Sequence, residues 1–260
     1  MKALECFLFV SSIAGVAATS TAATAYNAQA IFALCSWPFS LKLLWAPIVD
    51  SFFSETFGRR KSWLVPVQTI AALLMIGGSD YVETQLGLGT QAMDVSSSGL
   101  DVKGVTMFFF ALYFLTATQD IAVDGWALTM LSKRNRGRGP VCNSIGQNIG
   151  YFLSFVGFLA LNDAESSENL WRPLLRMESN PKEGLVSLGG FIKSMGVFML
   201  VVTTGVALFK SEAREGLELE LDDDDAELDA SKIGIGETYS RLWAACQLPA
   251  VQTLFLILLT

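Results

Sequence analysis

Apolar residues fall in long runs separated by polar stretches, and this pattern predicts membrane-crossing helices. The runs cover about residues 4–18, 28–49, 63–78, 105–131, 141–161 and 185–208, with a last one at 248–260. A helix needs roughly 18 to 25 mostly apolar residues to cross a hydrocarbon core of about 30 Å, and it satisfies its own backbone hydrogen bonds in lipid. The short-period alternation of a β-barrel is absent. The pattern therefore predicts an all-α integral membrane protein: a bundle of six helices over residues 1–210, a polar linker over 211–246, and the start of a seventh helix and a second bundle over 247–260.

The first run keeps two readings open. It follows Lys2 and ends near Ala22, Ala23, Thr24 and Ala25, which suits either a first helix or a secretory signal peptide.

Basic residues orient the bundle. Arg59, Arg60 and Lys61 follow the second run, and Lys133, Arg134, Arg136 and Arg138 follow the fourth, whereas the connection after the third holds only Lys103. Short cytoplasmic loops carry the Lys and Arg excess, so the amino terminus and the linker are expected in the cytosol. Composition supports the class: 52% of the residues are hydrophobic and 18 are Phe. The formal net charge of -7 comes from one segment, residues 212–237, where eleven acids face only Arg214 and Lys232. Its run Asp222, Asp223, Asp224 and Asp225 repels itself and buries little, which reads as a solvated linker.

Ionisable and amide side chains inside the apolar runs are where chemistry is expected, because lipid tolerates them only beside a partner or a cavity. Asp120 and Asp124 are four apart on one helical face with Gln119 beside them, and two carboxylates so placed are suited either to proton coupling or to pairing with a cation on a neighbouring helix. Lys42 stands eight residues before Asp50, about 12 Å along a helix at about 1.5 Å per residue. It snorkels, or it lines a pathway and pairs with Asp120 or Asp124 in the empty state. Asn143 and Gln147 share a face of the fifth run and are suited to bonding across helices or to a ligand, with Asn148 adjacent. Gly146 and Gly150, also four apart, allow close helix approach there. Trp37, Trp45, Trp63 and Trp126 are read mostly as an interface belt, and Cys6, Cys35, Cys142 and Cys246 as packing residues. The chain has no His, no metal-ligand spacing and no phosphate-binding glycine loop, so the reading calls for no metal, no cofactor, no nucleic-acid partner and no enzyme.

Several blocks carry a resemblance. Asp50 followed by Gly58, Arg59, Arg60 and Lys61 is similar to a stretched loop signature of the major facilitator superfamily. Around it stand Trp37-Pro38-Phe39-Ser40-Leu41-Lys42-Leu43-Leu44-Trp45-Ala46-Pro47 and Phe57-Gly58-Arg59-Arg60-Lys61-Ser62-Trp63-Leu64-Val65-Pro66; the fourth run holds Ala117-Thr118-Gln119-Asp120-Ile121-Ala122-Val123-Asp124-Gly125-Trp126, and the fifth Cys142-Asn143-Ser144-Ile145-Gly146-Gln147-Asn148-Ile149-Gly150. Together they resemble the acetyl-coenzyme A transporters, relatives of bacterial muropeptide permeases. The resemblance implies a carrier of about twelve helices of which this chain is the first half, a fragment. It implies acetyl-CoA as substrate, taken from the cytosol into the endoplasmic reticulum lumen across that organelle's membrane, by proton coupling or by exchange, and Asp50, Gly58, Arg59, Arg60 and Lys61 as a conformational loop motif. A permease for muropeptide or another solute is the main alternative, and a membrane-bound acyltransferase is a further one, disfavoured by the absence of His.

Overall fold

The computed structural model describes residues 30–31, 33–54, 57–85, 101–131, 133–180, 184–210 and 235–253. The first apolar run, with its two readings as first helix or signal peptide, most of the acidic segment and residues 254–260 lie outside the described residues. Among the described residues the structure is helical, and the single β pairing is an isolated bridge between Ser54 and Gly58.

Four helices among the described residues are long and apolar enough to cross a membrane: α3 (Lys61–Gln85), α4 (Val102–Met130), α5 (Gly139–Asn162) and α6 (Leu188–Phe209). Three of them begin where the sequence provides for it. Asp101 accepts from the backbone N–H of Gly104 at 3.0 Å, capping α4, and Ser187 accepts from Gly190 N–H at 3.2 Å, capping α6. Pro140 occupies the first turn of α5, where its missing N–H costs nothing. Helix α3 runs past the apolar stretch, and its last turn is tied to the start of α4 by the Tyr81 hydroxyl donating to Asp101 at 3.2 Å.

The second apolar run is not one straight helix. It is broken into a 3-10 turn Leu34–Ser36, α1 (Trp37–Leu41), a 3-10 turn Lys42–Leu44, and α2 (Ala46–Ser51). Pro38 and Pro47 explain the interruptions, since neither can donate to the carbonyl one turn back. The broken segment lies along α4. Cys35 Sγ donates to Thr106 O at 3.3 Å, the Phe39 and Tyr113 rings meet edge to face, and Trp45 Nε1 donates to Thr118 Oγ1 at 3.2 Å with its ring 5.0 Å from that of Phe114.

The tightest packing joins α3 to α6. Ala71, Ala72 and Met75 on α3 are buried with Phe191, Ile192 and Met199 on α6. Gly196 permits the approach: a Cβ there would stand 2.8 Å from Ile76 Cγ1 and 3.0 Å from the Ala72 carbonyl. A hydroxyl adds a polar tie, Thr203 Oγ1 donating to Gln68 Oε1 at 2.8 Å. The small-residue contact is thus on α6; Gly146 and Gly150 of α5 have open space around them among the described residues. Helix α5 is the least covered span, only 6% of its most apolar window being buried against 50% for α4.

Two other sequence expectations change. Trp126 is buried and Trp45 is bonded into α4, so both pack within the protein; Trp63 is half-buried, and of these four tryptophans Trp37 alone is exposed. Cys35 is buried as expected, while Cys142 and Cys246 are exposed. The end of the polar linker forms α7 (Ile235–Cys246), supported by an Arg241 to Glu237 pair at 2.7 Å and joined to the bundle by the Tyr239 hydroxyl donating to Leu44 O.

Candidate substrate and coupling site

Breaking the second run at Trp45 and Leu41 sets Lys42 on a short turn facing α4. Its ammonium donates to Asp120 Oδ2 at 2.8 Å and lies 3.7 Å from Asp124 Oδ2. The spacing of four residues brings both carboxylates to one cation. From Asp124 the polar chain continues into α5: Asn143 Nδ2 donates to Asp124 Oδ1 at 2.7 Å, and Gln147 Nε2 donates to Asn143 Oδ1 at 3.2 Å. Five of the sequence-predicted residues, on three elements, are therefore one hydrogen-bonded network. Gln119 lies on the turn beside it, its Oε1 buried and without a hydrogen-bond partner among the described residues.

Depth and exposure give the network its meaning. Asp120 is about 15 Å from the α4 end at Met130, counting about 1.5 Å per residue, which is well inside the hydrocarbon span. The Asp120 side chain is only 11% exposed, that of Lys42 31%, and that of Asp124 47%. Asp124 lies about 9 Å from the same end at about 1.5 Å per residue, and a carboxylate half exposed there cannot face acyl chains at tolerable cost, so this face of α4 and α5 borders water, ligand or further polypeptide. The network is thus closed on the Asp120 side and open on the Asp124 side.

The loop signature forms a second cluster at the basic end of the bundle. Gly58 has φ of 100°, a conformation open to glycine, and turns the chain so that Arg59 and Arg60 point back at α2. Arg59 donates through Nε and Nη2 to the Asp50 carbonyl at 3.2 and 3.0 Å, while Arg60 Nη1 is paired with the Asp50 carboxylate. The Arg60 guanidinium rests on Gly125 of α4, where a Cβ would collide with it. Lys61 is buried, and its ammonium donates to the carbonyls of Ala207 and Lys210 at 3.0 and 2.6 Å, closing the end of α6. Asp50, Gly58, Arg59, Arg60 and Lys61 consequently connect α2, α3, α4 and α6. Sequence reading missed the Lys61 partner on α6 and the seat of Arg60 on Gly125. The glycine next to Asp124 was the available signal.

Residues 7–260 match the profile of a family described as acetyl-coenzyme A transporter 1. The chain belongs to this family. Among individual proteins, it is 38% identical over 194 residues to an uncharacterised membrane protein of Saccharomyces cerevisiae, covering 69% of this chain and 32% of that one. An uncharacterised protein of Schizosaccharomyces pombe is 34% identical over 184 residues, covering 71% and 33%. The anhydromuropeptide permease of Escherichia coli is 30% identical over 130 residues, half of this chain and 23% of the permease. The matched part spans about a third of the length of the two yeast relatives. No solved structure matches. Membership of the acetyl-coenzyme A transporter family and the apolar helices together make this a multi-pass membrane chain related to muropeptide permeases.

Proposed function

We propose that the protein is a secondary carrier of the major facilitator type that moves acetyl-CoA from the cytosol into the endoplasmic reticulum lumen. Lys42, held by Asp120 and Asp124 inside the membrane span, is the observation that carries this reading. A cation already offset by two carboxylates is stable in the empty state. When an anionic phosphate reaches it from the open Asp124 side, the cation can exchange partners and release a carboxylate to take a proton. Asn143 and Gln147 supply hydrogen bonds along the same face, and the buried Gln119 oxygen offers an unused acceptor. The loop of Asp50, Arg59, Arg60 and Lys61 connects this face to α6, which suits a part that holds one conformation until the helices move. Two bundles are required to build a site that opens alternately to both sides, so residues 1–210 serve as one bundle and 211–246 as the cytoplasmic connection to the other.

The E. coli relative supports a second reading, a proton-coupled permease for muropeptide or another solute, which uses the same carboxylates with a different ligand. Equilibrium binding separates the two. Purified full-length protein is expected to bind radiolabelled acetyl-CoA saturably, with displacement by coenzyme A and none by an anhydromuropeptide. Displacement by the muropeptide alone overturns the acetyl-CoA assignment.

A further inference from the structure

The connection between α5 and α6 buries two polar side chains, Ser167 and Arg172, and exposes a group of large apolar ones. On the inner side, Ser167 is fully buried; its hydroxyl donates to Leu161 O at 3.0 Å and accepts from Leu185 N–H at 2.9 Å. Arg172 is also buried, donating to the Glu178 carbonyl at 3.1 Å and pairing with Glu168 at 3.5 Å. Glu168 in turn accepts from the Asn180 N–H at 3.0 Å and from the Ser179 hydroxyl. On the outer side of the helical turns Ser167–Trp171 and Arg172–Leu175 stand Leu170, Leu174 and Leu175, with Met177 just beyond, at 59%, 69%, 54% and 51% exposure. In water this arrangement is inverted, since it buries an arginine while wetting four large apolar side chains.

Its position resolves the inversion. Trp171 Nε1 donates to Ala160 O at 2.9 Å and Ser167 bonds to Leu161, so the helical turns lie at the level of the last turn of α5. That turn ends a candidate membrane span whose own Val156 and Leu159 are exposed, so the apolar outer side continues the exposed apolar surface of that span. Arg176, exposed and set at φ of 55°, sits among the apolar residues as a cation able to reach a lipid phosphate. We propose that residues 167–177 form an interfacial anchor, with Leu170, Leu174, Leu175 and Met177 in the acyl-chain boundary of the leaflet opposite the basic loops.

The test uses full-length protein in liposomes of neutral phospholipid, with other reactive cysteines replaced by serine and a spin label attached to Leu170→Cys, Leu174→Cys or, as an aqueous reference, Glu178→Cys. Collision with dissolved oxygen is expected to exceed collision with a water-soluble nickel chelate at 170 and 174, and the order to reverse at 178. Greater nickel access at 170 and 174 shows water there and overturns the anchor. Low access to both reagents shows that protein covers the patch and overturns it equally. Because the readout is depth, it stands or falls independently of which solute is carried.

Discussion

Lys42 and Asp120, 78 positions apart in sequence, meet at 2.8 Å within the membrane span, with Asp124 on the other side of the same ammonium. The pair is partly shielded, so each charge depends on the other. Breaking such a pair by removing one partner costs about 3 to 5 kcal/mol when fully buried, whereas removing both together costs much less. With Lys42 at 31% exposure the lower end of that range applies. Lys42→Met is therefore expected to lower the thermal midpoint of the detergent-solubilised protein clearly, and Lys42→Met combined with Asp120→Asn to restore part of the loss. Additive losses would show that the two side chains do not act as a pair.

Gly125 provides the seat of the Arg60 guanidinium, and Gly125→Ala places a methyl group there. The far end of an arginine moves easily, so the stability loss should be small, about 1 kcal/mol. The larger effect is on Arg60, which must leave Asp50. Gly125→Ala, Arg60→Ala and the double variant are expected to change carrier turnover to similar extents, measured as uptake at saturating substrate. An unaltered Gly125→Ala beside a crippled Arg60→Ala would place the role of Arg60 elsewhere.

Lys61 closes the end of α6 through the Ala207 and Lys210 carbonyls. Lys61→Met leaves the part-buried Ala207 and Lys210 carbonyls without this donor, at a cost of about 1 kcal/mol. Hydrogen exchange is expected to rise in the last turn of α6 while the Gly196 contact region stays protected. Uniform protection along α6 would contradict the capping role.

The loop beyond α5 has its own pH response. The Ser166 backbone N–H holds the Asp163 carboxyl below its ordinary range, and the Ser179 hydroxyl, with the Asn180 N–H and Arg172, does the same for Glu168. Groups depressed in the folded state add stability that is present above their unfolded values and is lost as pH falls through the folded ones. The loop should therefore hold its structure above about pH 5 and loosen below about pH 4. Amide exchange at Asn180, corrected for intrinsic rates, is expected to increase over that interval, and Glu168→Gln to make it nearly independent of pH. Unchanged protection down to pH 3, about a unit below the ordinary carboxylate range, would contradict this.

What the sequence made legible was periodicity and charge. The four described spans coincide with apolar runs to within a few residues, apart from the polar last turns of α3, because a membrane helix must be apolar along most of its length. Asp120 and Asp124 were recognisable as a pair since their spacing is set by the helix itself, and Lys42 stood out as a charge within an apolar run. The partner assignments were less accessible. That Lys61 reaches α6 and that Trp45 bonds Thr118 depend on how helices distant in sequence cross, information a single helix does not carry. The inverted loop was hidden for the same reason: Arg172 looks like an exposed loop cation until Glu168, Glu178 and Gly184 are folded around it.

The most direct measurement of the central claim is uptake of radiolabelled acetyl-CoA into proteoliposomes carrying the full-length protein, with Asp120→Asn alongside. Saturable uptake that free coenzyme A blocks, that an imposed proton gradient alters, and that Asp120→Asn abolishes while the variant inserts normally is the expected result. A well-folded protein that takes up no acetyl-CoA, or one in which Asp120→Asn transports as well as the parent, would contradict the account.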